Sequence, residues 1–576
     1  MDGLSFMGTV FDKGTCEVLR LRPRADVASR VAPVQNWVLD PLQDTVFILA
    51  APWIVLALAL AAFLFLDPLA ASVSIIGIHF VFTVAHHMPT FIRVYGDVEL
   101  LRRFRWSLVL APVIPFAFSL AVLGYINYKG YPVEYILVLY LMLAVWDPWH
   151  FLMQHYGFMR IYDRHNAAPR RLAARMDFLL CVSYFVFIML ASGEWLPALL
   201  ADLYGSAHLP LIMAVSARTL ATLTQFAGLW ASAMAVAYCV YLGWCRRQGY
   251  FISLAKLALF ASTFAVMYLA YTPNPWITRV APGWSFQVGF AAVGIVHMTQ
   301  YLAIVWRYNR SLALQPGRGR SGWFQRLHVR GGWLAGAAYV GFCLLYGVFL
   351  TSKHDGRWLA SVLLAVGFTS TLTHYYFDGF IWKLRHQQNR ENLQLDAAVG
   401  SWWSDSRPHA AAQVLLRQTL YFGVPMAVLT CGALSVWSHS NADYVQHMYR
   451  AHDLNAQGLE ADAAREGRRA FADMREQLPY MRRLAELQPN SSREAELALL
   501  IYNHARYAHS VLPALDGRDV GAEETASYRA QVEEAIRVLQ LAIDRGGSVA
   551  HYGREAMTPE DARGMVENWK RLTRPE

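Results

Sequence analysis

The stretch WDPWHFLMQHYGFMRIYDRH (146–165) completes an apolar run that begins near residue 134, and it carries polar side chains at helical spacing. Asp147, His150 and Gln154 follow one another at intervals of three and four residues, so they share one face of an α-helix. Polar groups on an apolar helix are costly in lipid and usually face the interior of a helical bundle. The stretch therefore predicts a membrane-spanning helix whose polar face meets other helices.

The composition of the whole chain agrees with a membrane protein. Of the 576 residues, 55% are hydrophobic and 16% are charged, and the mean hydropathy is +0.25. Because soluble domains carry about 25% charged residues, this composition excludes a disordered chain and a disulfide-stapled secreted miniprotein. None of the six cysteines forms a CxxC or CxxCH motif, which argues against a structural zinc site and excludes a covalently attached c-type haem.

Eleven stretches are apolar and long enough to cross a hydrocarbon core, which needs about 20 residues per helix. They are 45–66, 69–88, 105–126, 134–158, 176–194, 221–244, 252–271, 285–306, 332–351, 358–382 and 416–437. With a cytoplasmic N-terminus, 28 Lys and Arg fall in the six cytoplasmic segments with the adjoining span ends (1–44, 89–105, 159–175, 245–256, 307–331 and 383–417) and 5 in the five opposite loops. This asymmetry follows the positive-inside rule, so the sequence predicts an all-α, multi-pass protein of the bacterial inner membrane.

Three regions follow from this topology: a cytoplasmic N-terminal segment (1–44), a transmembrane helical domain (45–437) and a periplasmic region (438–576). The periplasmic region is acidic, so the basic excess belongs to the rest of the chain. There it is expected to orient the helices among membrane lipids rather than to bind nucleic acid. LAELQPNSSREAELALLIYNHARY (484–507) resembles a junction between helices of a tetratricopeptide repeat, and a simple α-hairpin domain fits the same pattern. Both alternatives suit docking of a periplasmic protein partner.

Histidines mark the interior of the predicted bundle. Seven of the 19 lie in predicted spans, and they occupy only the second, fourth, eighth and tenth: His79, His86, His87, His150, His155, His297 and His374. In each of these helices a histidine precedes the first cytoplasmic Arg or Lys by 7–10 residues, which corresponds to about 10–15 Å. Four helices therefore bring an imidazole to the same depth below the cytoplasmic surface.

Each of these histidines has a polar neighbour one turn away on its own helix. His297 precedes Tyr301 by four residues, and Thr371, His374 and Asp378 share one face of the tenth helix. A metal-bound imidazole uses such a hydrogen-bond partner to fix its tautomer and orientation. The pattern is therefore typical of a metal site.

Several chemistries suit this pattern. Imidazole binds iron and copper, so we expect a metal centre of one or two ions, with iron as the first choice and copper as an alternative. Two histidines from facing helices could instead hold a b-type haem in a redox or assembly protein. Asp and His side chains in series also carry protons, so a proton-coupled transporter or channel is a further alternative function. Histidines that only hydrogen-bond between helices are the simplest alternative.

The sequence assigns expected roles to individual residues. The expected metal ligands are the intramembrane histidines near the cytoplasmic surface: His86, His150, His297 and His374, with His87 and His155 as alternates. The expected catalytic groups, either ligands or acceptors for the imidazoles, are Asp147 and Asp378. The aromatic residues expected to bind the cofactor or line its pocket are Trp146, Tyr301 and Tyr375.

A common layout of a histidine, aromatic residues and a cytoplasmic Arg or Lys recurs in all four helices. It is seen in 146–165 and in HFVFTVAHHMPTFIRVYGD (79–97), HMTQYLAIVWRYNR (297–310) and THYYFDGFIWKLRH (373–386). The layout resembles histidine-rich polytopic membrane oxygenases, namely the Brp/Blh-type carotene dioxygenases and the membrane desaturases and alkane hydroxylases. The resemblance covers these four motifs only, and the tight HxxHH boxes of desaturases are absent. It implies a non-haem iron oxidoreductase acting on a lipophilic substrate from the cytoplasmic leaflet.

Overall fold

The computed structural model describes residues 35–573 apart from 130–136, 165, 208–209, 315–321, 331, 353–355, 382–409, 438–443, 546–550, 553–554 and 557. The described part is almost entirely helical, which confirms the predicted all-α class. Most of the predicted N-terminal segment 1–44 lies outside the described residues.

Long helices make up the membrane domain. In chain order they are α1 (Ala51–Phe65), α2 (Pro68–Ala85), α3 (His87–Gly96), α4 (Val98–Leu110), α5 (Val113–Lys129), α6 (Leu137–Tyr162), α7 (Arg170–Ala191), α8 (Trp195–Ala207), α9 (Ala217–Arg247), α10 (Leu254–Tyr271), α11 (Phe286–Leu314), α12 (Gly332–Thr351), α13 (Arg357–Ile381) and α14 (Val424–Trp437). Short helical segments also occur at Pro41–Asp44, Thr45–Leu49, Pro210–Ala214, Pro275–Val280, Gly322–Gln325, Arg326–Arg330, Ala411–Gln418 and Thr419–Gly423.

Within the ranges that the structure describes, seven helical stretches are long and apolar enough to cross a membrane, and an eighth forms if Pro41–Leu49 and Ala51–Phe65 are joined across their 45° bend. These eight coincide with eight of the eleven stretches expected from the sequence. The other three contain α6, α13 and α14, which do not pass the same test within the described residues. The polar side chains that α6 and α13 contribute to the site lower the mean hydropathy of these two helices. The count of eleven crossings stays a prediction.

A break between α2 and α3 positions two adjacent imidazoles. α2 ends at Ala85, and His86 lies between the helices with φ −73° and ψ −7°. Pro89 has no backbone N–H and cannot donate to the carbonyl of Ala85, so a continuous helix is disfavoured at this point. α3 therefore starts afresh at His87. Both imidazoles are consequently brought to one depth at a helix junction.

Two glycines allow close contact between helices. A Cβ atom at Gly347 of α12 would collide with the backbone carbonyl of Val81 in α2, and one at Gly289 of α11 would collide with that of Ala270 in α10. Small residues at such crossings let helix backbones approach closely, which favours packing in membranes. His86 directly follows α2 and α11 carries His297, so these contacts help to fix the site.

Four charged side chains, three of them buried and Arg160 partly exposed, lie together where α6, α7 and α10 meet. Lys256 Nζ lies 2.8 Å from Asp163 Oδ1 and 3.2 Å from Asp177 Oδ1. Arg160 forms ion pairs with both carboxylates, and Tyr238 donates a 2.7 Å hydrogen bond to Asp177. Two positive and two negative groups thus compensate one another, as buried charges require. The cluster ties together three helix ends on the predicted cytoplasmic side.

The C-terminal region consists of amphipathic helices with a core of their own. They are α15 (Tyr444–Ala456), α16 (Glu460–Leu487), α17 (Ser491–Arg506), α18 (Ala522–Arg545) and α19 (Pro559–Thr573), with short segments at Tyr507–Val511 and Leu512–Asp516. Two antiparallel strands, β1 (His551–Tyr552) and β2 (Glu555–Ala556), pair between α18 and α19. Ile501, Val532 and Leu539 are fully buried in the core. Helical hairpins are present, and the assignment to tetratricopeptide repeats stays a prediction.

The C-terminal region contacts the membrane domain at one end of the bundle. Gln488 Nε2 donates a 2.8 Å hydrogen bond to the backbone carbonyl of Glu194, between α7 and α8. Leu484 and Leu487 at the end of α16 share a buried cluster with Leu200 of α8. This contact holds the C-terminal helices against the predicted extracytoplasmic loop between α7 and α9.

Candidate metal centre

Four histidines from four parts of the bundle form a ring of neighbouring imidazoles. The ring centroid of His86 lies 5.5 Å from that of His297 and 4.6 Å from that of His374. His150 closes the ring at 5.2 Å from each of the same two partners. These residues come from the α2–α3 junction, α11, α13 and α6. The structure therefore brings together the four histidines that the sequence predicts as ligands.

His87 and Asp378 extend this ring on two sides. The ligand atoms of His86, His87 and His374 lie within 4.8 Å of one another, and the same is true of His150, His374 and Asp378. Asp378 Oδ2 is 3.6 Å from His150 Nε2 and 3.8 Å from His374 Nε2. Two donors bound at about 2.0–2.2 Å to one ion lie no more than about 4.4 Å apart. Both groups could hold a metal ion after small movements.

The imidazole nitrogens that face this centre are unpaired within the described residues. The Nε2 atoms of His86, His87, His150 and His374 are buried without a hydrogen-bond partner, as are both ring nitrogens of His297. An unpaired buried polar atom costs about 1–3 kcal/mol. Five such side chains at one place make a bound cation the natural partner.

The opposite nitrogens of two rings are held by neighbours. His86 Nδ1 lies 3.3 Å from the carbonyl oxygen of Phe82, and His87 Nδ1 lies 3.0 Å from Ser370 Oγ. A carbonyl oxygen accepts only, so Nδ1 of His86 carries the proton and its Nε2 keeps the lone pair. This is the tautomer that a metal ligand requires.

His374 is held through a longer series of hydrogen bonds. Its Nδ1 lies 2.8 Å from Thr90 Oγ1, and that oxygen lies 2.5 Å from the hydroxyl of Tyr301. Tyr301 in turn donates a 2.7 Å hydrogen bond to Asp378 Oδ1. Tyr301, expected from the sequence to bind a cofactor, thus lies beside the imidazoles, with its ring centroid 5.2 Å from that of His374.

Three further predicted site residues lie on the α6–α13 side. Tyr375 donates a 2.8 Å hydrogen bond to Asp147 Oδ1, and its ring centroid lies 4.7 Å from that of His150. Asp147 therefore bonds across the helices and is outside both groups of converging ligand atoms. Trp146 is 40% exposed at the outer surface, so the structure does not bring its side chain together with the histidines.

Two intramembrane histidines stay apart from the ring. His155 follows His150 by five residues, which turns it about 140° around the helix at 3.6 residues per turn. It packs with its centroid 5.2 Å from that of Phe264, and it is absent from both converging groups. His79 lies two turns before His86 and packs against Phe290 of α11 at 5.9 Å. His155 is therefore placed away from the ligands with which the sequence groups it.

Sequence reasoning missed the residues that hold the imidazoles from neighbouring helices. Thr90 and Ser370 are both fully or almost fully buried and bond to histidines of other helices. The signal was present, because Thr90 lies four residues after His86 and Ser370 lies four residues before His374, on the same helical faces. Which hydroxyl meets which imidazole depends on how the helices pack, and spacing alone does not give it.

The donor set fits a borderline transition-metal ion. Imidazole nitrogens with a carboxylate suit iron, copper or zinc, and the centre contains no thiolate among the described residues. No family model, no curated protein and no solved structure matches the chain. The function must therefore be argued from the geometry of this site.

Proposed function

We propose that the protein is a membrane-embedded, metal-dependent oxidoreductase with a non-haem iron centre. The observation that carries this proposal is the convergence of unpaired Nε2 atoms from separate helices, as described above. His86, His150, His297 and His374 would hold the metal, with His87 and Asp378 as further ligands. Bound iron would supply oxygen activation or electron transfer, as expected for histidine and carboxylate ligands.

The spacing of the imidazoles favours a bare ion over haem. Neighbouring centroids in the ring are only 4.6–5.5 Å apart. A porphyrin is much wider than these gaps, and its macrocycle would overlap the other histidines of the ring. The same arrangement suits direct coordination of an ion by several imidazoles, which supports the non-haem alternative.

The exposure of the site residues supports the proposal of a lipophilic substrate, because one side of the centre is less covered than the others. The side chains of His150 and Asp378 are 11% and 8% exposed, whereas His87 and His374 are fully buried. These two partly exposed groups lie on α6 and α13, so we propose an opening between these helices towards the bilayer. The hydrogen bond from Tyr375 to Asp147 crosses the same gap. It would control how wide the opening is.

The residues around the centre have distinct tasks in this proposal. Tyr375 lies against His150 and would orient an apolar substrate at the open side. Asp378 accepts the Tyr301 hydroxyl with Oδ1 and directs Oδ2 to the histidines. The centre is otherwise closed by buried side chains, so bulk water is excluded from the reacting groups. Such exclusion strengthens electrostatic interactions in the site.

The proposed topology places the centre near the cytoplasmic leaflet of a bacterial inner membrane, with the C-terminal helices in the periplasm. Two sets of contacts support it. The basic side chains Arg160 and Lys256 lie together at one end of the bundle. Glu194 and Gln488 join the C-terminal helices to the loop between α7 and α8. Eleven crossings would place these two sets of contacts on opposite sides of the membrane. The tetratricopeptide-like hairpins of the C-terminal region would then lie in the periplasm and face a partner protein.

Metal analysis of the detergent-purified protein tests the proposed function. We expect bound iron, an absorption spectrum without a Soret band, and loss of iron in His150→Ala/His374→Ala. His155→Ala is the matched control, because it removes a buried histidine of α6 that lies outside the ring. A Soret band would support the haem alternative, and full iron content in the double variant would refute the proposed site.

A further inference from the structure

Three hydroxyl and carboxyl groups connect to the Nδ1 atom of His374 in an unbroken series. Thr90 comes from α3, Tyr301 from α11, and Asp378 from α13. We propose that Thr90 and Tyr301 are positioning residues, which fix the tautomer of His374 and strengthen its Nε2 atom as a metal ligand. This inference rests on the proposed metal centre and adds two residues that make no contact with the metal.

The direction of every hydrogen bond follows from the chemistry of the groups. An ionised carboxylate accepts only, so Tyr301 gives its proton to Asp378. The Tyr301 oxygen must then accept from Thr90, and Thr90 Oγ1 must accept from His374 Nδ1–H. One assignment of protons satisfies the whole series. It leaves Nε2 of His374 without a proton and with its lone pair towards the other imidazoles.

Burial makes this series effective. Thr90 and His374 are fully buried, and Tyr301 is 1% exposed, so water does not compete for these groups. Hydrogen bonds in series polarise one another in a low dielectric. The carboxylate of Asp378 attracts the tyrosine proton, which makes the Tyr301 oxygen a stronger acceptor for Thr90. The Thr90 oxygen in turn becomes a stronger acceptor for His374 Nδ1–H. When Thr90 Oγ1 is a stronger acceptor of the Nδ1–H bond, Nε2 becomes more basic and a better ligand, as it does in carboxylate–histidine pairs of metal sites.

A purely structural role predicts a different result. If the series only held α3, α11 and α13 together, its loss would lower the stability of the protein and leave the chemistry of the ligand unchanged. A positioning role predicts weaker metal binding and an altered metal spectrum in a protein that is still folded. Metal affinity and spectrum therefore separate the two roles.

The experiment is a titration of the full-length, metal-depleted protein with Co²⁺, followed by its visible absorption. We expect Thr90→Val to weaken Co²⁺ binding 10–100-fold, the usual loss when such a partner is removed, and to change the absorption bands. Tyr301→Phe should weaken binding by less, because Thr90 still accepts from His374. Thr90→Ser keeps the hydroxyl and should bind Co²⁺ like the wild type.

Two matched variants control for the loss of a buried hydroxyl. Thr371→Val removes a hydroxyl that bonds to the Gly367 carbonyl of its own helix. Tyr339→Phe removes a buried hydroxyl that has no partner within the described residues. Both should bind Co²⁺ like the wild type. Thermal unfolding of each variant shows that it is folded.

The outcomes distinguish this inference from the proposed function. Wild-type affinity and spectrum in folded Thr90→Val would overturn the positioning role and leave the metal centre intact. Failure of Thr90→Ser to restore binding would overturn it as well. A wild-type protein that binds neither Co²⁺ nor iron would refute the metal centre and with it the inference. If Thr90→Val does not fold, Tyr301→Phe and Thr90→Ser decide by the same criteria.

Discussion

Asp378 Oδ2 lies 3.6 Å from His150 Nε2, although the two residues belong to helices far apart in the sequence. If this carboxylate is a ligand, Asp378→Asn should lower iron or Co²⁺ affinity by at least the roughly 10–100-fold that removal of a hydrogen-bond partner of a ligand costs. Asp147→Asn is the matched control, since Asp147 is a carboxylate in the same region that lies outside the converging groups. Equal metal affinities of the two variants would contradict the role given to Asp378.

The Tyr375–Asp147 hydrogen bond is expected to restrict access between α6 and α13. Tyr375→Phe removes a bond worth about 0.5–1.5 kcal/mol and keeps the aromatic ring beside His150. We expect unchanged metal content, and faster removal of the metal by a lipid-soluble chelator such as phenanthroline. Removal by water-soluble EDTA should keep its wild-type rate. A Tyr375→Phe protein that loses metal to both chelators at the wild-type rates would argue against an opening here.

Close packing of α12 against α2 makes Gly347 sensitive to any side chain. A Cβ at this position meets the Val81 carbonyl, and overpacking of this kind costs about 1–3 kcal/mol. Gly347→Ala should therefore lower the thermal stability in detergent. Gly341→Ala, on the same helix with no atom within 4 Å of its added Cβ, should leave stability unchanged or raise it. Equal stabilities would show that the two helices separate easily.

The buried charge cluster should depend on all of its members. Lys256→Met leaves Asp163 and Asp177 with Arg160 alone, and breaking a buried pair costs about 3–5 kcal/mol. We expect a large loss of thermal stability. Lys570→Met breaks an exposed pair with Glu567, and such pairs contribute about 0–1 kcal/mol. A small effect of Lys256→Met would mean that water reaches the cluster and solvates the remaining charges.

The C-terminal helices should lose local stability in acid. Burial alone would raise the pKa of Glu466, but the hydrogen bond and charge of His447, together with Arg469, hold that pKa below its ordinary value of 4.5. A lowered carboxyl pKa stabilises the fold above pH 4.5, and this contribution is lost as the pH falls through the folded pKa. Hydrogen exchange of α16, corrected for intrinsic rates, should therefore rise below about pH 4.5.

The matched variants locate this effect. Glu466→Gln should exchange faster than the wild type at neutral pH, and the difference should vanish in acid. Glu476→Gln changes an exposed carboxylate of the same helix and should follow the wild type. A constant difference between Glu466→Gln and the wild type at all pH values would show that the carboxylate charge is not responsible.

Helical spacing in the sequence was sufficient to predict the four imidazoles of the ring. The sequence identifies His86, His150, His297 and His374 because each lies 7–10 residues before a predicted cytoplasmic Arg or Lys, and depth in a membrane is set by rise per residue. Such a count gives the depth of a residue along the helix, but it constrains less the direction in which the side chain points around the helix axis. For that reason the sequence groups His155 with the ligands as an alternate, although it faces Phe264.

Contacts between helices could not be read from the sequence. Asp147 and Tyr375 meet across α6 and α13, and Thr90 meets His374 across α3 and α13. Each pairing depends on the distance and rotation of two helices, which are set by the packing of all their neighbours. The exposed position of Trp146 has the same origin, since it is adjacent to the half-buried carboxylate of Asp147 but points to the outer surface.

The spread of the site along the chain has a consequence for biosynthesis. Its earliest histidine is His86 and its last ligand is Asp378, so α13 must be synthesised before the centre can close. At about 5–20 residues per second, ribosomes need roughly 15–60 s to cover this interval. During that time the early histidines lack their later partners, so any metal loading of the proposed centre must follow the insertion of α13.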